Sequence, residues 1–116
     1  MLSLLAGQEV FLISGATDMR LSFRGLPVIV ENVLGKNPLR GIYVFCNRRR
    51  NRVKVLFWQH GGFWVCAKRL ERGTFGWPDS ETKYVEMTPA ELALLLGGID
   101  VREATRRRWY QQAASG

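Results

Sequence analysis

Apolar residues fall into short runs divided by polar turns, and the period of those runs changes along the chain. Residues 9–14, with Val10, Phe11, Leu12 and Ile13 at the centre, predict a first strand that Gly15 ends. Phe23, Leu26, Val30, Val33 and Leu34 then recur at spacings of three and four, the period of a helix with one buried stripe. Pro27 lies inside that stripe and lacks a backbone donor. The helix therefore either starts near Leu26, with Pro27 in its first turn, or kinks at Pro27. Gly35 stops it.

Three β-rich runs follow at residues 42–46, 53–58 and 63–67. Short links at 47–52 and 59–62 join them, which predicts an antiparallel meander. Residues 72–78 predict an irregular turn held by aromatic side chains. Thr88-Pro89-Ala90-Glu91 carries a cap hydroxyl, a proline at the first helical position and a carboxylate three residues after the cap. That is a capping box. Leu92, Leu95, Leu96 and Ile99 form the apolar face of its helix, and Gly97 and Gly98 end it. The expected fold is α+β: one domain over residues 1–101 with an antiparallel meander sheet and two main helices. A flexible basic tail is expected over 102–116.

Length agrees with this. The 116 residues suit one domain, which buries about two-thirds of the surface of its unfolded chain. Two cysteines, Cys46 and Cys66, and one histidine, His60, are too few for a disulfide scaffold or a four-ligand zinc site. Both cysteines sit in apolar runs, as buried free thiols do. The start Met1-Leu2-Ser3-Leu4-Leu5-Ala6 lacks a basic leader, and Gln8 and Glu9 cut its apolar stretch short. No run approaches the roughly 20 apolar residues of a membrane span. A cytoplasmic protein with no membrane partner is expected.

Charge changes the picture. Seventeen Lys and Arg against ten Asp and Glu leave a net charge of +7. Such a surface attracts polyanions, with nucleic acid first among them. The tail, through Arg102, Arg106, Arg107, Arg108 and Glu103, contributes three of those positive charges and the body the other four. Within the body, Arg48, Arg49, Arg50, Arg52 and Lys54 place five basic residues in seven positions at a predicted hairpin tip. Arginine forks match phosphates and guanine edges, and a two-stranded ribbon can enter a DNA groove. A turn that needed only polarity would not crowd like charges together. Lys68, Arg69 and Arg72, interrupted by Glu71, follow the third strand and, if the strands form a meander, could extend the same surface.

Other features carry less. Phe57, Trp58, Phe63, Trp64, Phe75 and Trp77 could stack on unpaired bases. Half of each strand must face a core, however, and core packing is the expectation for these rings. Thr17 or Asp18 can cap the helix that follows, and Asp18 can also pair with Arg20. His60 stands alone in a turn. The ten carboxylates form no metal pattern, and there is no phosphate loop. No enzyme, cofactor or metal is expected.

The order of these blocks carries a resemblance. Thr17-Asp18-Met19-Arg20 comes first, then Phe23 with Gly25-Leu26, then Gly41 ahead of Val44-Phe45. Asn47-Arg48-Arg49-Arg50, Arg52, Lys54, Leu56 and Trp58 follow, and then Gly62-Phe63 and Lys68-Arg69-Leu70-Glu71. Gly73, Phe75, Trp77-Pro78, Leu95-Leu96 and Gly98-Ile99-Asp100 complete the series. Over about residues 8–101 the chain resembles the insertion-sequence-66-type transposition accessory protein (the TnpB-like accessory protein, not the RNA-guided nuclease of that label). Arg24, Pro27 and Gly76 depart from the family pattern. The resemblance implies a helper in DNA transposition, encoded beside a larger transposase that performs the strand chemistry. It implies no activity and no ligand residues of its own. DNA and the transposase of the same element are the expected partners. The alternative is a module that docks on the transposase without touching DNA.

Overall fold

The computed structural model describes residues 7–97. The expected tail at 102–116, and Gly98 and Ile99 of the expected second helix, lie outside them. Seven elements follow one another: β1 (Val10–Ala16), α1 (Gly25–Asn32), β2 (Ile42–Cys46), β3 (Arg52–Gln59), β4 (Gly62–Arg69), β5 (Tyr84–Met87) and α2 (Pro89–Leu96). The strands form one sheet in the order β4-β3-β2-β1-β5.

The β2-β3-β4 meander is antiparallel, as its short links require. The sheet as a whole is mixed, which corrects the expectation of an antiparallel one. β1 pairs parallel to β2, with Val10 beside Ile42 and Leu12 beside Val44. The cause is the connection. Helix α1 crosses one face of the sheet and returns the chain to the end where β1 began, so β2 must run the same way. Strand β5 escaped the sequence pattern. It is antiparallel to the outer side of β1, with Val10 beside Met87 and Ile13 beside Tyr84. Gly41 turns the chain into β2 at φ +89°, where a Cβ would sit 3.2 Å from the Phe11 ring.

Alternation along the strands divides the core into two layers. Phe11, Ile13, Tyr43, Phe45 and Leu56 face α1 and pack against Leu26 and Val30. Val10, Leu12, Val44, Val53, Val55 and Phe57 share the other cluster with Phe75, Trp77, Leu92 and Leu95. This second layer is closed by α2 and by the aromatic segment before β5. α1 starts at Gly25, so Pro27 sits in its first turn. Its cap is Arg24, with no side-chain bond. Asp18 caps nothing on α1; it accepts instead from the Arg20 backbone N–H at 2.9 Å.

The capping box of α2 forms in full. The Glu91 N–H donates to Thr88 Oγ1 at 3.1 Å, and the Thr88 N–H donates to Glu91 Oε1 at 3.0 Å. Thr88→Ala removes one of these two bonds and is expected to destabilise the fold by about 1 kcal/mol in urea unfolding. An unchanged midpoint would mean that packing alone holds the helix start.

Candidate nucleic-acid interface

The turn between β2 and β3 carries the arginine block and is built on Asn47. Its Oδ1 accepts from the backbone N–H of Asn51 and of Arg52, each at 3.0 Å. Its Nδ2 donates to Asn51 Oδ1 at 2.7 Å. An asparagine at the head of a turn is the one sequence signal for this role. The Arg50 N–H closes the turn onto the Asn47 carbonyl at 3.1 Å.

Arg50 takes φ +58°, a region that glycine adopts more readily. Its surroundings hold it there. The guanidinium donates to the Ser14 carbonyl at 3.1 Å and lies 5.5 Å from the centre of the Trp77 ring. The Arg50 carbonyl accepts from the Phe75 N–H at 2.7 Å, and the Asn51 carbonyl from the Leu70 N–H at 2.8 Å. Segment 70–77 thus runs back along the turn and fixes it to the core.

The eight basic candidates gather at one end of the sheet. Arg48 and Arg49 form the exposed tip. Arg52 begins β3 and lies directly opposite Arg69, near the end of β4. Arg72 follows in the segment that Asn51 anchors. Glu71 is the one acidic residue in segments 47–54 and 66–72.

Their partners divide them. Lys54 Nζ donates to the carbonyls of Met19 at 2.7 Å and Leu21 at 2.8 Å, tying the turn before α1 to the sheet. Lys68 Nζ donates to the Leu96 carbonyl at 2.6 Å in the last turn of α2, where a cation suits the helix end. Arg69 meets Glu71 at 3.1 Å in an exposed pair. Arg50 is engaged as described. The side chains of Arg48, Arg49, Arg52 and Arg72 have no hydrogen bond or ion pair with any described residue. Met19, Arg52, Lys54, Ala67, Lys68 and Arg69 line a shallow cleft of about 260 Å³ beside them.

Asp18 and Arg20 form a bidentate pair with a closest approach of 2.7 Å. Hydrogen bonds from Arg20 pull the Asp18 carboxyl down to about 2. The pair therefore stays ionised and self-neutralised at ordinary pH, and adds nothing to the positive field. Burial pushes up the thiols of Cys46 and Cys66, neither of which is in a disulfide. Among the described residues no group of three or more His, Cys, Asp or Glu could hold a metal ion. No helix among them is long and apolar enough to cross a membrane.

The aromatic set follows the core expectation except at one position. Phe57, Phe75 and Trp77 are buried, and Trp58 packs edge-on against Phe63 at 4.9 Å. Trp64 stacks on Phe57 yet remains 53% exposed.

Comparisons with known proteins agree with the order of the blocks. The family described as IS66 Orf2 like protein matches residues 8–106. The chain is 41% identical over 95 residues to the uncharacterized protein y4hO of Sinorhizobium fredii (strain NBRC 101917 / NGR234), covering 81% of this chain and 83% of that relative. It is 29% identical over 102 residues to the uncharacterized protein y4jC of the same strain, covering 87% of each. No solved structure matches. The family match takes in both core layers and the whole basic end of the sheet, and the chain belongs to the IS66 Orf2 like family, a family of transposition-associated accessory proteins.

Proposed function

We propose that this protein is a non-enzymatic accessory factor that meets DNA through the basic end of its sheet and works in the cytoplasm beside the transposase of its own element. One observation carries the reading: four arginines whose side chains have no partner among the described residues stand at and beside a turn that the core anchors. Arg48, Arg49, Arg52 and Arg72 contact the phosphate backbone. Lys68 and Arg69 border the cleft where a phosphate sits, and Arg50 and Lys54 hold the surface in shape. Facing Arg52 with Arg69 disfavours the fold, since like charges directly opposite one another repel. An anion between them relieves that repulsion.

The salt dependence of binding tests this. Each neutralised phosphate contributes about −0.9 to the slope of log affinity against log salt on duplex DNA. Four arginines give a slope of roughly −3 to −4, where all eight cations would give about −7. Fluorescence anisotropy with element-end and scrambled duplexes measures it. The Arg48→Glu/Arg49→Glu double variant is expected to melt like the parent and to flatten the slope by about 2. An unchanged slope in that variant, or no binding at low salt, would sink the reading.

A second reading has its own observation. On and beside α1, Phe23, Val28 and Val33 are each about half exposed or more, and such apolar surface suits a protein partner. If the transposase co-purifies with this protein after exhaustive nuclease digestion, direct docking gains the stronger case.

A further inference from the structure

The two edges of the sheet are unequal. Edge strand β5 has four residues and carries Glu86, two of the means by which natural edges avoid stray pairing. Edge strand β4 has eight residues, and its first six, Gly62 to Ala67, hold no charge and no proline.

The hairpin fixes which backbone groups of β4 face outward. His60 (φ +48°) and Gly61 (φ +85°) form a two-residue turn with both residues left-handed, so the flanking pair Gln59–Gly62 is a hydrogen-bonded one. By alternation, Gly62, Trp64, Cys66 and Lys68 bond to β3. Phe63, Val65, Ala67 and Arg69 point their N–H and C=O groups away from the sheet. No backbone bond among the described residues takes up those outward groups.

We infer that β4 is a dimerisation edge, pairing antiparallel with β4 of a second copy about a two-fold axis at Cys66. This register is the one that uses all four outward residues: Phe63 pairs with Arg69 of the second copy, and Val65 with its Ala67. On the sheet face it sets the exposed Trp64 opposite Lys68 of the second copy. The cations thus meet aromatic rings while the two Lys68 side chains stay four strand positions apart. Moving the axis two residues in either direction leaves outward groups unpaired, and moving it toward Arg69 brings cation against cation. Moving it one residue, to Val65 or Ala67, keeps the faces but leaves one outward residue of each copy unpaired. The self-complementarity of these residues selects a second copy as the occupant. The joined sheet has ten strands, with the two basic ends on opposite sides of the seam. The inference does not depend on whether those ends meet DNA.

Sedimentation equilibrium at high micromolar protein is the test. The parent is expected at twice the 13.2 kDa of one chain. Ala67→Pro removes an outward N–H that β3 does not use, and Trp64→Lys sets a cation against Lys68 on an exposed position. Both are expected to sediment as single chains with the circular dichroism of the parent. Copper-phenanthroline oxidation reads the register, since a facing non-hydrogen-bonded pair lies about 4.5 Å apart at Cα, within disulfide reach. The parent is expected to form a covalent dimer, and Cys66→Ser is expected to remain a single chain, because Cys46 is fully buried. A parent that sediments as one chain, or a folded Trp64→Lys variant that stays dimeric, would overturn the inference.

Discussion

Trp77→Ala is expected to lower stability by roughly 3–5 kcal/mol, the range for removing a large ring from a core. The ring is 4% exposed and packs with Phe75 and Leu95 under α2. Its indole N–H also donates to the Ile13 carbonyl at 2.9 Å, so truncation leaves an acceptor in the middle of β1 without its donor. For a domain of this size such a loss lowers the melting temperature by roughly 15 °C or more. Trp77→Phe keeps most of the apolar volume and removes the N–H, and is expected to lose about 1–3 kcal/mol. The effect extends beyond the core, because the ring is also the seat of the Arg50 guanidinium. Thermal unfolding of the two variants checks the first part. Weakened DNA binding by folded Trp77→Phe would show that the seat had shifted as well. A Trp77→Ala protein that melts within a few degrees of the parent would contradict the packing described.

Lys54→Met is expected to lose about 2–4 kcal/mol while leaving the salt dependence of DNA binding unchanged. Methionine keeps the apolar stem that packs along the sheet but removes both charge-assisted bonds to the Met19 and Leu21 carbonyls. Those bonds hold the loop before α1, so the helix loses part of its anchorage to β3. Chemical denaturation reads the first effect and anisotropy the second. A flatter salt slope with unchanged stability would reverse the assignment and place Lys54 on the DNA. Lys54→Arg is no substitute, since a planar fork does not reproduce one ammonium shared between two carbonyls.

Local signals were legible in the sequence, and distant ones were not. Thr88, Pro89 and Glu91 announce α2 because a capping box is contained in four residues. The meander is legible because its links are short and its strands rich in β-formers. The parallel pairing of β1 with β2 had a trace in sequence: both are continuous apolar runs, and β2 is buried at all five residues. Strands covered on both faces read in that way. Strand β5 left almost none, since four residues give too little alternation and its partner lies at the other end of the chain. The basic end was legible as charge, but the division of labour within it was not. Arg50 finds its acceptor 36 residues away, and Lys54 finds its own at 35 and 33. No local pattern tells a cation that holds a loop from one that faces solvent.

The strand order also sets a sequence of events during synthesis. The meander completes itself from neighbouring residues, and α1 and β2 reach β1 soon after they leave the ribosome. The far side of β1 is different: it waits for Tyr84–Met87, the last strand to be made among the described residues. Until then the nascent chain presents Val10, Phe11, Leu12 and Ile13 as an open backbone edge, with no charged side chain among them. A chain halted before Tyr84 would keep that edge permanently. For this protein, β5 is therefore as much a cover against misassociation as a contributor to the finished sheet.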